Sequence, residues 1–332
     1  MNTETRNSHN FYSALDVLNA GDNFYKNHEY EKAIEAYDEA IQQKPKDNKF
    51  CAKVYNNKGV ALSFLSRYVE ALEAYNQAIR LDPNDPEAHN NKGVALSFLS
   101  KENDALSAYD EAIRLKQDYA EAYYNKGIVL ENLSKFDEAI EALEKSIIFK
   151  LEDEELCADA YCHIGNVLEC LSKYKEAIEA YDEAITLNPD YAEAYNNKGV
   201  TLQYLAKYNE AIKAYDEAIW INPNYDEAYY NKGIALQYLV RDDEAMDAFN
   251  IAAELNPAKY NYKSCLESSS VDYDSFVHFA SSEKNSETEE RITQRHGSSD
   301  SSLIDSFETG SSRSESTGSL IGKSEHEDSS CS

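Results

Sequence analysis

The sequence predicts an all-α solenoid of seven helix pairs followed by an acidic, serine-rich tail. Glycines stand at 21, 59, 93, 127, 165, 199 and 233, at intervals of 38, 34, 34, 38, 34 and 34 residues. A fixed period of this length marks stacked supersecondary units. Each period also holds two apolar stripes at helical spacing, and turn residues such as Asn222-Pro223-Asn224 separate one period from the next.

Residues 1–13 lack an apolar run and read as a flexible N-terminus without a secretory signal. The repeats follow at 14–47, 52–85, 86–119, 120–153, 158–191, 192–225 and 226–259. In 192–225 the first helix carries Ala194, Tyr195, Gly199, Leu202 and Leu205, and the second carries Ala211, Ile212, Tyr215, Ala218 and Ile219. Small residues at Gly199, Ala211 and Ala218 let the two helices approach closely. Alanine and glutamate favour the second helix, and Asn222-Pro223 ends it, because a residue before proline avoids the helical region. Repeat one is the most degenerate, with Val17 at the aromatic position, and repeats three and four carry Gln117 and Leu151 in place of proline. Insertions at 48–51 and 154–157 add about one helical turn each. Residues 260–267 are suited to cap the stack. The segment 268–332 holds 21 serines and few apolar residues, too little burial to offset ordering, so it is expected to be disordered.

The unit, with aromatic, glycine, alanine, aromatic, alanine and proline at fixed offsets, resembles the tetratricopeptide repeat. That resemblance implies a right-handed solenoid with its first helices on the concave side. The lysine before glycine (Lys58, Lys92, Lys126, Lys198, Lys232) departs from the family, where leucine is usual. It reads as a structural lysine whose stem lies on apolar surface beside an acidic neighbour.

Offsets 2, 6, 9 and 13 of each first helix form one stripe. The stripe reads Lys53, Asn57, Val60, Phe64 in repeat two and Glu87, Asn91, Val94, Phe98 in repeat three. It reads Glu193, Asn197, Val200, Tyr204 in repeat six and Glu227, Asn231, Ile234, Tyr238 in repeat seven. Repeat four supplies Asn125 and Ile128, repeat one Asn19, and repeat five breaks the series with His163. An asparagine offers one carbonyl and two N–H donors, which suits an extended main chain. The row resembles the asparagine ladder in the superhelical repeats of O-linked N-acetylglucosamine transferases, which implies an extended peptide in the groove. Four such hydrogen bonds contribute roughly 2–6 kcal/mol at roughly 0.5–1.5 each, so the apolar stripe must help. The acids at offset 2 (Glu87, Glu121, Asp159, Glu193, Glu227) favour a ligand with Lys or Arg. A clamp for chaperone tails, which needs groove lysines and arginines, is not expected.

The expected partner is therefore a protein or peptide. A net charge of −29 argues against nucleic acid and anionic membrane surfaces, and no run of about 18 apolar residues spans a bilayer. Six cysteines without a CxxC pair suggest reduced thiols and a cytoplasmic setting. Cys162 and Cys170 lie eight residues apart, about 12 Å along a helix, too far to share a zinc ion. No metal, cofactor or catalytic motif is expected, and the reading is a non-enzymatic scaffold. The alternatives are a self-assembling structural component, a targeting subunit for an enzyme on another chain, and, from the resemblance of the NKG spelling to bacterial arrays, an effector exported to a host.

Overall fold

The computed structural model describes residues 13–43, 45–150 and 152–260. Among them stand fourteen helices: α1 (Ala14–Lys26), α2 (Tyr30–Gln42), α3 (Asn48–Phe64), α4 (Tyr68–Leu81), α5 (Pro86–Phe98), α6 (Glu102–Leu115), α7 (Ala120–Asn132), α8 (Phe136–Phe149), α9 (Glu154–Cys170), α10 (Tyr174–Leu187), α11 (Ala192–Tyr204), α12 (Tyr208–Ile221), α13 (Asp226–Tyr238) and α14 (Asp242–Leu255). The chain is an all-α solenoid, and no strand occurs among the described residues. Residues 1–12, 268–332 and all of 260–267 except Tyr260 lie outside them.

Local chemistry sets the ends of the helices. Ser13 and Asp16 form a reciprocal capping box on α1, and the Asp47, Asp85 and Asp153 side chains cap α3, α5 and α9. The helices α3 and α9 run 17 residues where the other first helices run 13, so each four-residue insertion is helical. Each pair turns through one residue at positive φ, namely His28, Ser66, Ser100, Ser134, Ser172, Ala206 and Val240, with φ between 52° and 58°.

Each pair closes on its glycine. A Cβ on Gly199 would stand 2.5 Å from Tyr215 Cε1, and Gly21, Gly59, Gly93 and Gly165 face Tyr37, Tyr75, Tyr109 and Tyr181 in the same way. Fully buried alanines on the second helices, such as Ala177, Ala184, Ala211 and Ala218, complete the contact. Repeats four and seven substitute Leu143 and Phe249 for the tyrosine. Successive first helices also touch each other, from α1 with α3 to α11 with α13, and no pair of second helices does so to the same extent. The first helices therefore line the inner side of the stack.

Candidate interaction face

Three sets of side chains recur along this stack, and each ties one repeat to the next. The first is the asparagine row. Asn91 Nδ2 donates to Asn56 Oδ1 at 3.1 Å, Asn125 to Asn90 at 3.1 Å and Asn231 to Asn196 at 3.0 Å, each pair 35 residues apart. Where the acceptor position is not asparagine, the bond is rerouted. Repeat one has Leu18 there, and Asn57 donates to Asp22 at 3.0 Å. Repeat five has Cys162, and Asn197 donates to Asn166 at 3.1 Å. Repeat four has Tyr124, and there the incoming group is His163, whose Nδ1 pairs with Glu131 Oε2 at 2.8 Å.

The tyrosine hydroxyls follow the same logic. Asp22 and Asn166 also accept from Tyr37 and Tyr181, at 2.8 Å each. Where that position holds Val60 or Val94, Ser63 and Ser97 meet Tyr75 and Tyr109 at 3.2 Å instead, and Gln203 meets Tyr215. Leu143 has no hydroxyl, which leaves Glu131, at the serine position, to serve His163. Every exchange satisfies the rule that buried polar groups are paired.

The second set is aromatic. Phe64 stacks on Tyr30 at 5.0 Å, Phe98 on Tyr68 at 4.4 Å, Tyr204 on Tyr174 at 5.1 Å and Tyr238 on Tyr208 at 4.7 Å. The third is ionic. Lys58, Lys126, Lys198 and Lys232 reach Asp38, Asp110, Asp182 and Asp216 of the preceding repeat at 2.5–2.6 Å. These aspartates bridge repeats although 43–60% of their side-chain surface stays open to solvent.

The predicted site residues thus have structural partners. Asn91, Asn125, Asn197 and Asn231 are only 3–6% exposed, and each commits one N–H to the preceding repeat, as half-buried Asn57 also does. A buried donor takes the partner nearest to it, so part of the hydrogen-bonding capacity of this row is spent within the stack. Val60, Val94, Ile128 and Val200 are buried, while Ile234, Phe64, Phe98 and Tyr204 are half-buried. Tyr238, at the end of the row, is 49% exposed, and Asn19 is also exposed. The acceptors at 56, 90, 166 and 196 were missed, although their spacing of 31 or 35 residues from the donors was legible.

The offset-2 acids lie along the same face. Glu87 accepts from Asn56 Nδ2 at 3.2 Å, Glu121 from Lys150 at 2.5 Å, and Glu227 stands 3.8 Å from Lys259. Asp159 and Glu193 bear on buried His163. Burial pushes that imidazole down, but the Glu131 charge and hydrogen bond, with Asp159 and Glu193, outweigh it and hold it above its ordinary value. Among the described residues, no three metal-ligating side chains come together, and no helix is long and apolar enough to cross a membrane.

Family comparison matches the tetratricopeptide repeat at 86–119, 120–149, 158–191 and 192–225, and the TPR repeat at 65–97. No curated protein matches. Among solved structures, PilF of Pseudomonas aeruginosa is 17% identical with a TM-score of 0.58, over 67% of this chain and all of that one. A tetratricopeptide repeat protein from Parabacteroides merdae is 16% identical with a TM-score of 0.58, over 76% of this chain and 96% of that one. YrrB, a TPR protein with an unusual peptide-binding site, is 26% identical with a TM-score of 0.48, over 60% of this chain and all of that one.

Proposed function

Because this chain is built on tetratricopeptide repeats, a fold that generally serves as a protein-interaction scaffold, we propose that it holds an extended, Lys- or Arg-bearing segment of a partner protein along its first helices. The observation that carries this reading is the row of carboxylates at Glu87, Glu121, Asp159, Glu193 and Glu227, one in each of repeats three to seven, on the face that also bears the asparagines. Side chains four residues apart share a helix face, so the acids and amides form parallel rows. Asn91, Asn125 and Asn231 each carry a second N–H for a partner's carbonyl, whereas Asn197 Nδ2 already meets both Asn166 and Cys162, and the edges of Phe98, Tyr204 and Tyr238 supply apolar contact.

The amides alone do not account for a stable complex, so the acids and the aromatic edges must contribute. A hydrogen bond contributes roughly 0.5–1.5 kcal/mol, and a micromolar complex requires about 8 kcal/mol. Oriented opposite charge accelerates encounter and fixes register more than it adds affinity. The fold is typically non-catalytic, and we assign the chain no reaction.

The test is fluorescence anisotropy with extended peptides carrying Lys at spacings matched to the repeat. Glu87→Gln/Glu193→Gln/Glu227→Gln should weaken binding by about tenfold, corresponding to about 1.4 kcal/mol, and flatten its salt dependence. Equal binding by the variant, or equal binding of peptides with Lys replaced by Gln, would reject the proposal.

A further inference from the structure

Among the described residues, one junction lacks all three inter-repeat ties. Between repeats four and five the lysine position is Ile164 and the position facing it is Glu144. The aromatic positions hold Phe136 and exposed Cys170. The amide bond is replaced by His163 and Glu131. Junctions 1–2, 5–6 and 6–7 have every tie. Junction 2–3 lacks only the ionic tie, with Asn76 facing Lys92, and junction 3–4 lacks only the aromatic one, with Glu102 and Asn132. Apolar packing still crosses junction 4–5 through Ile128, Leu143, Leu156 and Ile164, but its recurrent polar tie is a titratable pair.

We infer that this junction is a pH-sensitive joint in the array, tightened when His163 carries a proton opposite Glu131 and loosened when it does not. His163 is buried, and the Tyr124 ring meets it edge-on with centroids 5.7 Å apart. Glu131 and Tyr124 face it from α7, Asp159 from its own helix and Glu193 from α11. From α10, Tyr181 donates to Asn166 one turn further along α9, and α8 presents Leu143 and Ile147 to the same core. The charged neighbours are all carboxylates, so the imidazolium is the cation that balances them. Its folded-state value lies above the ordinary 6.5. The stabilisation is therefore complete below 6.5 and fades as pH rises through the folded-state value. Asparagine ties do not titrate, which sets this junction apart from its neighbours.

Hydrogen exchange on the full chain, corrected for intrinsic rates and compared at about pH 6 and about pH 9, tests the joint. Protection in α9 should fall several-fold with rising pH relative to α11 and α13, and His163→Gln and Glu131→Gln should abolish the difference. Wild-type α9 keeping pace with α11, or His163→Gln retaining the fall, would overturn the inference. Should either variant fail to fold, NMR titration of the wild-type His163 ring, identified by its contact with Tyr124, decides. A midpoint above 6.5 supports the joint and a midpoint below it refutes it.

Discussion

Gly199→Ala would set a Cβ 2.5 Å from Cε1 of Tyr215, a ring that is fully buried and held at its hydroxyl by Gln203. Overpacking of this kind costs roughly 1–3 kcal/mol, partly offset by about 1 kcal/mol of helix propensity. Gly127→Ala faces Leu143 instead, whose aliphatic chain can change rotamer, so its urea midpoint should fall less. Equal losses would show that the ring is not the constraint. The turn residues predict the opposite sign. Val240 is β-branched, holds φ at 58° and is 80% exposed, a backbone state that costs about 1 kcal/mol or more. Val240→Gly should raise stability by about 1 kcal/mol, and an unchanged midpoint would deny the strain. The glycine's role was legible in the sequence, because one small residue recurred at every period. The strained turn was not, because serine, alanine, histidine and valine share no signal for positive φ.

Among elements, the rerouted amide bonds form an exchangeable set. Repeats with asparagine at offset 5 carry valine at offset 9, as in Asn56 with Val60, Asn90 with Val94 and Asn196 with Val200. Repeats with Leu18 or Cys162 carry Asp22 or Asn166 instead. Asn196→Cys alone should leave the buried Asn231 donor with no better acceptor than a thiol, as Asn197 meets Cys162 Sγ at 4.0 Å, at a cost of up to roughly 1–3 kcal/mol. Adding Val200→Asn copies the repeat-five arrangement into repeat six and should recover part of that loss. A double-mutant cycle would read a favourable coupling above about 0.5 kcal/mol, and additive losses would sink the exchange rule. Helix positions were legible because the apolar stripes recur at the helical period. The partners of Asn91 and Asn125 were not, because periodicity fixes the face of a helix but not which neighbouring helix fills it.

At the scale of the whole array, the ties stop at both ends of the described stack. Repeat seven has Tyr230 and Ile234 where the next repeat's amide would need an acceptor, Asp242 where an aromatic would be stacked, and Asn250 where a lysine would be met. Tyr260 already covers Tyr230, with ring centroids 4.7 Å apart. Repeat one presents Ala20 at the lysine position and Lys26 at the aromatic position. A second copy placed head to tail would thus meet neither an ionic nor an aromatic partner. Charge acts in the same direction, because 61 acidic against 32 basic residues make two copies repel. Screening weakens that repulsion as salt rises, with a Debye length of about 30 Å at 0.01 M and about 8 Å at 0.15 M. The molar mass by light scattering should therefore stay that of one chain at low salt, whatever the concentration. Self-assembly through the ends would show itself as a mass that climbs with concentration even at low salt, where like charges oppose contact most strongly.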